Sequence, residues 1–187
     1  MNRKRSGEPE HIGSLEELLP FGEELIGVVP DEDGPLAAEI RRESRERIEE
    51  AIASLPQNFR QPLVLKEIAG FSLEEIATIL GIKPETVKTR LHRARLRVRK
   101  SFEDVLPQKE TPPPIFSKQI CMDLLQAKQD SLDAGVTFEF PDQVICERCA
   151  EVFATMDLGQ EICAEIADGD LPEVLRQELL ENMSRQE

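Results

Sequence analysis

SLEEIATILGIKPETVKTRLHRARLRVRK, residues 72–100, decides how the rest of this chain is read. Ser72 with Glu75 three residues later is a capping box, in which hydroxyl and carboxylate satisfy amides that the first turn of a helix leaves free. Leu73, Ile76, Ala77 and Leu80 recur at helical spacing and predict its buried face. Gly81 suits the left-handed residue that closes a helix. Pro84 suits the first turn of the next one, where its missing N–H is no loss. From Lys83 to Lys100 the chain then carries eight Lys/Arg and one acid, Glu85, within a protein of net charge −14. A basic helix in an acidic protein calls for a polyanion, and DNA is the commonest.

Projected at about 100° per residue, Val87, Leu91, Ala94, Val98 and Phe102 fall on one narrow face, predicted to pack on the preceding helices. The opposite face carries Glu85, Thr89, His92 and Arg93. Lys88, Arg95 and Arg99 flank one side, and Thr86, Arg90 and Arg97 the other. This pattern suits a helix in a major groove. Short polar groups at its tip meet base edges, and flanking cations meet the phosphate walls. The candidate DNA-binding set is therefore Lys83, Glu85, Thr86, Lys88, Thr89, Arg90, His92, Arg93 and Arg97. The competing reading is a surface helix whose cations pair with the protein's own acids, and the helix-turn-helix spacing argues against it.

Outward from this motif, the composition predicts small helical units: 40% hydrophobic, 32% charged, with no Trp or Tyr in 187 residues. Residues 1–35 are broken by Gly and Pro and read as an acidic linker, with at most a helical turn near Leu15–Leu19. A helix is expected from Leu36, with Ile48, Ile52 and Leu55 inward, ending at Pro56. A second is expected from Asn58 to Ala69, with Phe59, Leu65 and Ile68 inward, stopped by Gly70. Residues 36–104 thus form a helix-turn-helix domain, and 105–114, with LPQKETPPP at 106–114, a Pro-rich linker. In 115–187 acids outnumber bases roughly three to one. Helices are expected there near Phe116–Lys128, around Cys146–Met156, and after Asp170, where Leu171, Leu175 and Leu179 share a face. The fold class is all-α: a three-to-four-helix, winged-helix-like domain plus a small helical C-terminal domain bearing cysteines.

No apolar run approaches the roughly eighteen residues of a membrane span, and MNRKRSGEPE lacks the apolar core of a signal peptide. The expectation is a soluble cytoplasmic protein with no membrane partner. No Ser/His/Asp set, P-loop or Gly-rich nucleotide loop is present, and the histidines are His11 and His92 alone. That argues against an enzyme. The four cysteines are Cys121, then Cys146 and Cys149 as Cys-x-x-Cys, then Cys163. Such a pair offers two thiolates to one tetrahedral ion, most often Zn²⁺. A redox pair and plain packing in a helical core are the other two readings.

ERIEEAIASLPQNFRQPLVLKEIAGFSLEEIATILGIKPETVKTRLHRARLRVRK, residues 46–100, resembles region 4 of bacterial sigma-70-type factors, in particular the extracytoplasmic-function subgroup. The resemblance lies in SLP, a Leu/Val-rich helix, EEIA-x-ILGI and TVK-x-RLHRAR. It implies a DNA-binding factor for transcription initiation that recognises the promoter −35 element and docks on the β flap of core RNA polymerase. It places the DNA-facing positions within Lys83–Arg93, with Thr86, Lys88, Thr89, Arg90 and Arg93 foremost. It also implies a region 2 upstream for opening the −10 element. Only about 45 residues precede region 4 here, with Phe21 as their one aromatic, whereas strand capture needs aromatic faces and a basic groove. The expectation is therefore a chain that docks on a promoter without a melting module.

The spacing of Cys121, Cys146 and Cys149 is similar to a zinc-finger-like anti-sigma module. Asp142 stands where that family has His, so either Asp142 or Cys163 is the candidate fourth ligand. An anti-sigma factor is a further implied partner. The alternative to an initiation factor is a sensor, in which the acidic cysteine-bearing tail docks on the basic helix or on a partner and releases it on metal loss or oxidation.

Overall fold

The computed structural model describes residues 25–26, 34–106, 108–109, 115–139, 145–169, 173, 175–177 and 180. Helix α1 (Pro35–Ser54) opens on Pro35 at its first turn and buries Ile48 and Ile52, joined by Ser44 at the same four-residue spacing. Leu55 is buried just past its end. Helix α2 (Gln57–Leu63) continues into a wider π-helical turn, Val64–Ile68. The sequence suggests one regular helix over this stretch, but Pro62 lies inside it and has no N–H for the helical ladder. Past Pro62 the ladder widens to a five-residue bond, Ala69 N–H to Val64 O at 3.0 Å.

Helix α3 (Leu73–Leu80) begins on the expected capping box: Glu75 N–H donates to Ser72 Oγ at 3.3 Å, and Ser72 N–H donates to Glu75 Oε2 at 2.8 Å. It ends on Gly81 at φ 63°, in the left-handed region. Helix α4 (Pro84–Lys100) follows, then a 3₁₀ turn, Ser101–Asp104. Val87, Leu91, Ala94, Val98 and Phe102 are all buried, as the projection requires.

Beyond the Pro-rich stretch, helix α5 (Lys118–Ala134) starts on Ser117, whose Oγ accepts from Ile120 N–H at 3.5 Å, and stops at Gly135, φ 66°. Helix α6 (Glu147–Asp168) runs well beyond the expected Cys146–Met156. Of the helix expected after Asp170, Glu173, Leu175–Gln177 and Leu180 are described and helical; Asp170, Leu171 and Leu179 lie outside the described residues, as does Leu15–Leu19. Both segments read as linkers contribute to a two-residue antiparallel ladder. Strand β1 (Leu25–Ile26) pairs with β2 (Gln108–Lys109), Leu25 opposite Lys109, so the strands described bracket the helix-turn-helix rather than form a wing hairpin.

A single apolar cluster joins Ile48, Ile52, Leu65, Ile76, Leu91 and Phe102 to Leu125, Phe153, Ile162, Ile166 and Leu175. It crosses the boundary drawn at 105–114. Helix α6 packs against α1, the π turn and α4, and Arg41 Nε donates to Glu165 Oε1 at 2.8 Å. The second layer on α4 sets what its polar face can reach.

Candidate nucleic-acid interface and thiol cluster

The nine candidate DNA-facing residues fall into two groups. Lys83, Glu85 and Thr89 at the tip are exposed, as is Arg97, and Thr86, Arg90 and Arg93 are partly so. Thr89 Oγ1 donates to Glu85 O one turn back, at 2.8 Å. Arg90, Arg93 and Arg97 make no ion pair among the described residues, and Arg93 Nε has no hydrogen-bond partner there. Thr86, Arg90, Arg93 and Arg97 recur at three- and four-residue spacing, so they form one open edge of α4.

The other edge is covered. Lys88 Nζ pairs with Asp130 of α5 at 2.8 Å. His92, projected onto the DNA face, is only 4% exposed, and its Nε2–H donates to Asp133 Oδ2 at 3.1 Å. Arg95 Nη1 donates to Asp133 Oδ1 at 2.6 Å, while its Nε and Nη2 donate to Glu67 Oε1 of the π turn at 2.9 and 2.6 Å. Arg99 Nε donates to Thr155 Oγ1 of α6 at 3.1 Å. Leu96, which projects away from the Val87–Val98 face, is fully buried too. From His92 onward, then, α4 has protein on both sides. Lys88 and His92, expected to face DNA, face α5 instead. What covers them comes from a helix about forty residues further along, beyond the reach of any local pattern.

Burial alone would raise the Asp133 carboxyl, but the His92 hydrogen bond and the Arg95 charge outweigh it and hold it below its ordinary value. Burial likewise disfavours the Arg95 cation, and Glu67 and Asp133 more than offset that. His92, Asp130 and Asp133 bring their ligand atoms within 4.8 Å of one another. With Lys88 and Arg95 on the two carboxylates, their negative charge is already matched.

The second group of site residues is sulfur. Cys121 of α5, Cys146 at the cap of α6 and Cys149 in its first turn are buried and not in disulfides. The Cys149 thiol lies near both Cys146 and Cys121; burial and these two sulfur neighbours push it up to about 12. The three sulfur atoms do not all lie within 4.8 Å of one another, a spacing that among the described residues is met by His92, Asp130 and Asp133, so an ion held by these thiols would have to draw them together as well as displace their protons. Cys163 does not complete such a site. It lies fourteen residues from Cys149 on the same helix, about 21 Å along the axis, and sits instead beside Glu67 and Arg95, with burial pushing it up to about 12. Asp142, the other candidate, lies outside the described residues.

Residues 45–98 match the family model described as Sigma-70, region 4. Over 110 residues, 56% of this chain and 57% of that protein, the sequence is 40% identical to the ECF RNA polymerase sigma factor SigW of Bacillus subtilis. It is 44% identical over 73 residues to the ECF RNA polymerase sigma factor SigE of Mycolicibacterium smegmatis, covering 38% of this chain and 28% of that protein. It is 36% identical over 67 residues to the positive control factor of Bacillus subtilis, covering 36% of this chain and 40% of that protein. The chain thus spans little more than half the length of the first of these relatives and less of the others. No solved structure matches it. Among the described residues, no helix is long and apolar enough to cross a membrane.

Proposed function

We propose that this chain, a member of the sigma-70 family whose residues 45–98 form region 4, recognises the −35 element of promoter DNA through α4 and docks on the β flap of core RNA polymerase. The observation that carries the reading is the open edge of α4. Thr86, Arg90, Arg93 and Arg97 lie beside the exposed tip residues Lys83, Glu85 and Thr89 in the segment that matches the family. The tip offers side chains to base edges, and the arginines offer charge to one phosphate strand. In this reading the protein acts in the cytoplasm as an initiation factor with no chemistry of its own, and an anti-sigma factor is a further partner. Selection from a randomised duplex library is the test. One enriched motif is expected, lost in Arg90→Ala/Arg97→Ala; the absence of enrichment, or enrichment that survives the double substitution, sinks it.

The Cys-x-x-Cys pair at the start of α6, with Cys121 of α5 near Cys149, supports a second, compatible element. Cys121, Cys146 and Cys149 would hold a Zn²⁺ ion, with Asp142 as the fourth ligand, and the ion would tie α5 to α6. Its role there is structural, since zinc in thiolate-rich sites contributes to folding. Titration with Co²⁺ tests the site: a thiolate-to-cobalt charge-transfer band is expected, absent in Cys149→Ser. A wild-type spectrum without that band rules the site out.

A further inference from the structure

Helix α5 carries acids where helix ends favour bases. Asp130 and Asp133 lie near its C-terminus, with no basic residue in the last turn, and the helix macrodipole disfavours negative charge there. Compensation comes from α4. Lys88 Nζ reaches Asp130 at 2.8 Å, while His92 Nε2 and Arg95 Nη1 reach Asp133 at 3.1 and 2.6 Å. Beside Asp130, Gln129 Nε2 donates to the main-chain oxygen of His92 at 3.2 Å. Lys128, the neighbouring cation on α5, turns away to Asp157 of α6 and leaves the acidic edge unopposed by its own helix.

We propose that α5 is an intramolecular competitor of DNA, its two carboxylates taking the places of two phosphates along the Lys88–His92–Arg95 flank of α4. The proposal rests on the region 4 reading above and adds regulation to that site. A duplex in contact with the open edge gains the second flank only when α5 moves off, because the body of α5 occupies the space the phosphate strand needs. Salt does not substitute for that movement. The Lys88–Asp130 pair is 38% and 45% exposed and is screened, but Arg95 and Asp133 are 8% and 6% exposed and are screened far less. Because the competitor is tethered, its effective concentration is high and independent of protein concentration.

The test uses the full chain and the anisotropy of a labelled duplex of mixed sequence, about 30 bp, since the electrostatic contacts at issue do not depend on sequence. Asp130→Asn is expected to raise affinity about threefold, and Asp130→Asn/Asp133→Asn about tenfold. Asp123→Asn removes the same charge from an exposed site on the same helix and is expected to change affinity by far less. If the double variant melts below the assay temperature, Asp130→Asn alone decides. Amide exchange in α5 should also quicken when the duplex is added to wild type. Equal affinities for wild type, Asp130→Asn and Asp123→Asn overturn the competition and leave the DNA reading standing. Binding that is absent from every variant, or indifferent to Arg90→Ala/Arg97→Ala throughout, overturns the DNA reading itself and the competition with it.

Discussion

Asp133 Oδ1 accepts a hydrogen bond from Arg95 Nη1 at 2.6 Å across the seam between α5 and α4, and both side chains are almost fully buried. Removing one partner of a buried pair strands the other charge. Asp133→Ala is therefore expected to destabilise the fold by about 2–4 kcal/mol, at the lower end because Glu67 still holds Arg95. Urea denaturation measures it; a loss below about 0.5 kcal/mol would show that the seam contributes little.

The same pair gives a pH dependence. A carboxyl held below its ordinary value on folding adds stability that is fully present above its unfolded value, near 3.9, and is lost as pH falls through the folded value. The seam is expected to hold at neutral pH and to loosen in acid below about pH 4. In Asp133→Asn the acid limb of a stability–pH curve should flatten.

On the open edge the expectation differs. Arg90→Ala and Arg97→Ala should each weaken DNA binding and each reduce the slope of log K against log salt by about one, with stability changed by no more than about 0.5 kcal/mol. An unchanged slope would mean that neither guanidinium meets a phosphate.

The thiols are expected to resist alkylation. With Cys149 and Cys163 both pushed up to about 12, almost no thiolate is present at pH 8 in the folded, metal-free chain. Iodoacetamide should label both only after urea is added. Their raised values also mean stability that is complete below the unfolded value, near 8.5, and lost as pH climbs toward 12. Rapid native-state labelling at either position would contradict this environment.

Two glycines should respond in opposite directions. Gly81 holds φ 63°, and an added Cβ meets nothing within 4 Å, so Gly81→Ala costs only backbone strain, about 1–2 kcal/mol. Gly159 lies inside α6, where an added Cβ would meet Phe102 Cε2 at an ordinary 3.8 Å; Gly159→Ala should stabilise by about 0.5–1 kcal/mol. Thermal melts separate the two signs.

The elements that local sequence specifies are those the structure returns most closely. The Ser72–Glu75 box, the left-handed Gly81, Pro84 in the first turn of α4 and the Val87–Phe102 face each depend on residues within one or two turns. The π turn over Val64–Ile68 is equally local, yet apolar spacing does not distinguish a five-residue bond from a four-residue one. His92 and Lys88 illustrate the opposite limit. Periodicity put them on the side of α4 away from its core, but could not say that Asp130 and Asp133 would meet them there.

By itself, then, the sequence determined a helix-turn-helix, its capping and packing face, the cationic character of α4 and the segment that matches region 4, because these follow from short-range spacing and composition. Only the tertiary structure decided which cations remain available. One apolar cluster brings α5 and α6 onto the domain that a Pro-rich stretch separates from them in sequence, and that packing buries Arg95 and His92 against acids about forty residues away while leaving Arg90 and Arg97 in the open. Likewise, Cys-x-x-Cys gave a pair of thiols, but the arrival of Cys121 beside Cys149 and the separation of Cys163 depend on where α5 meets α6.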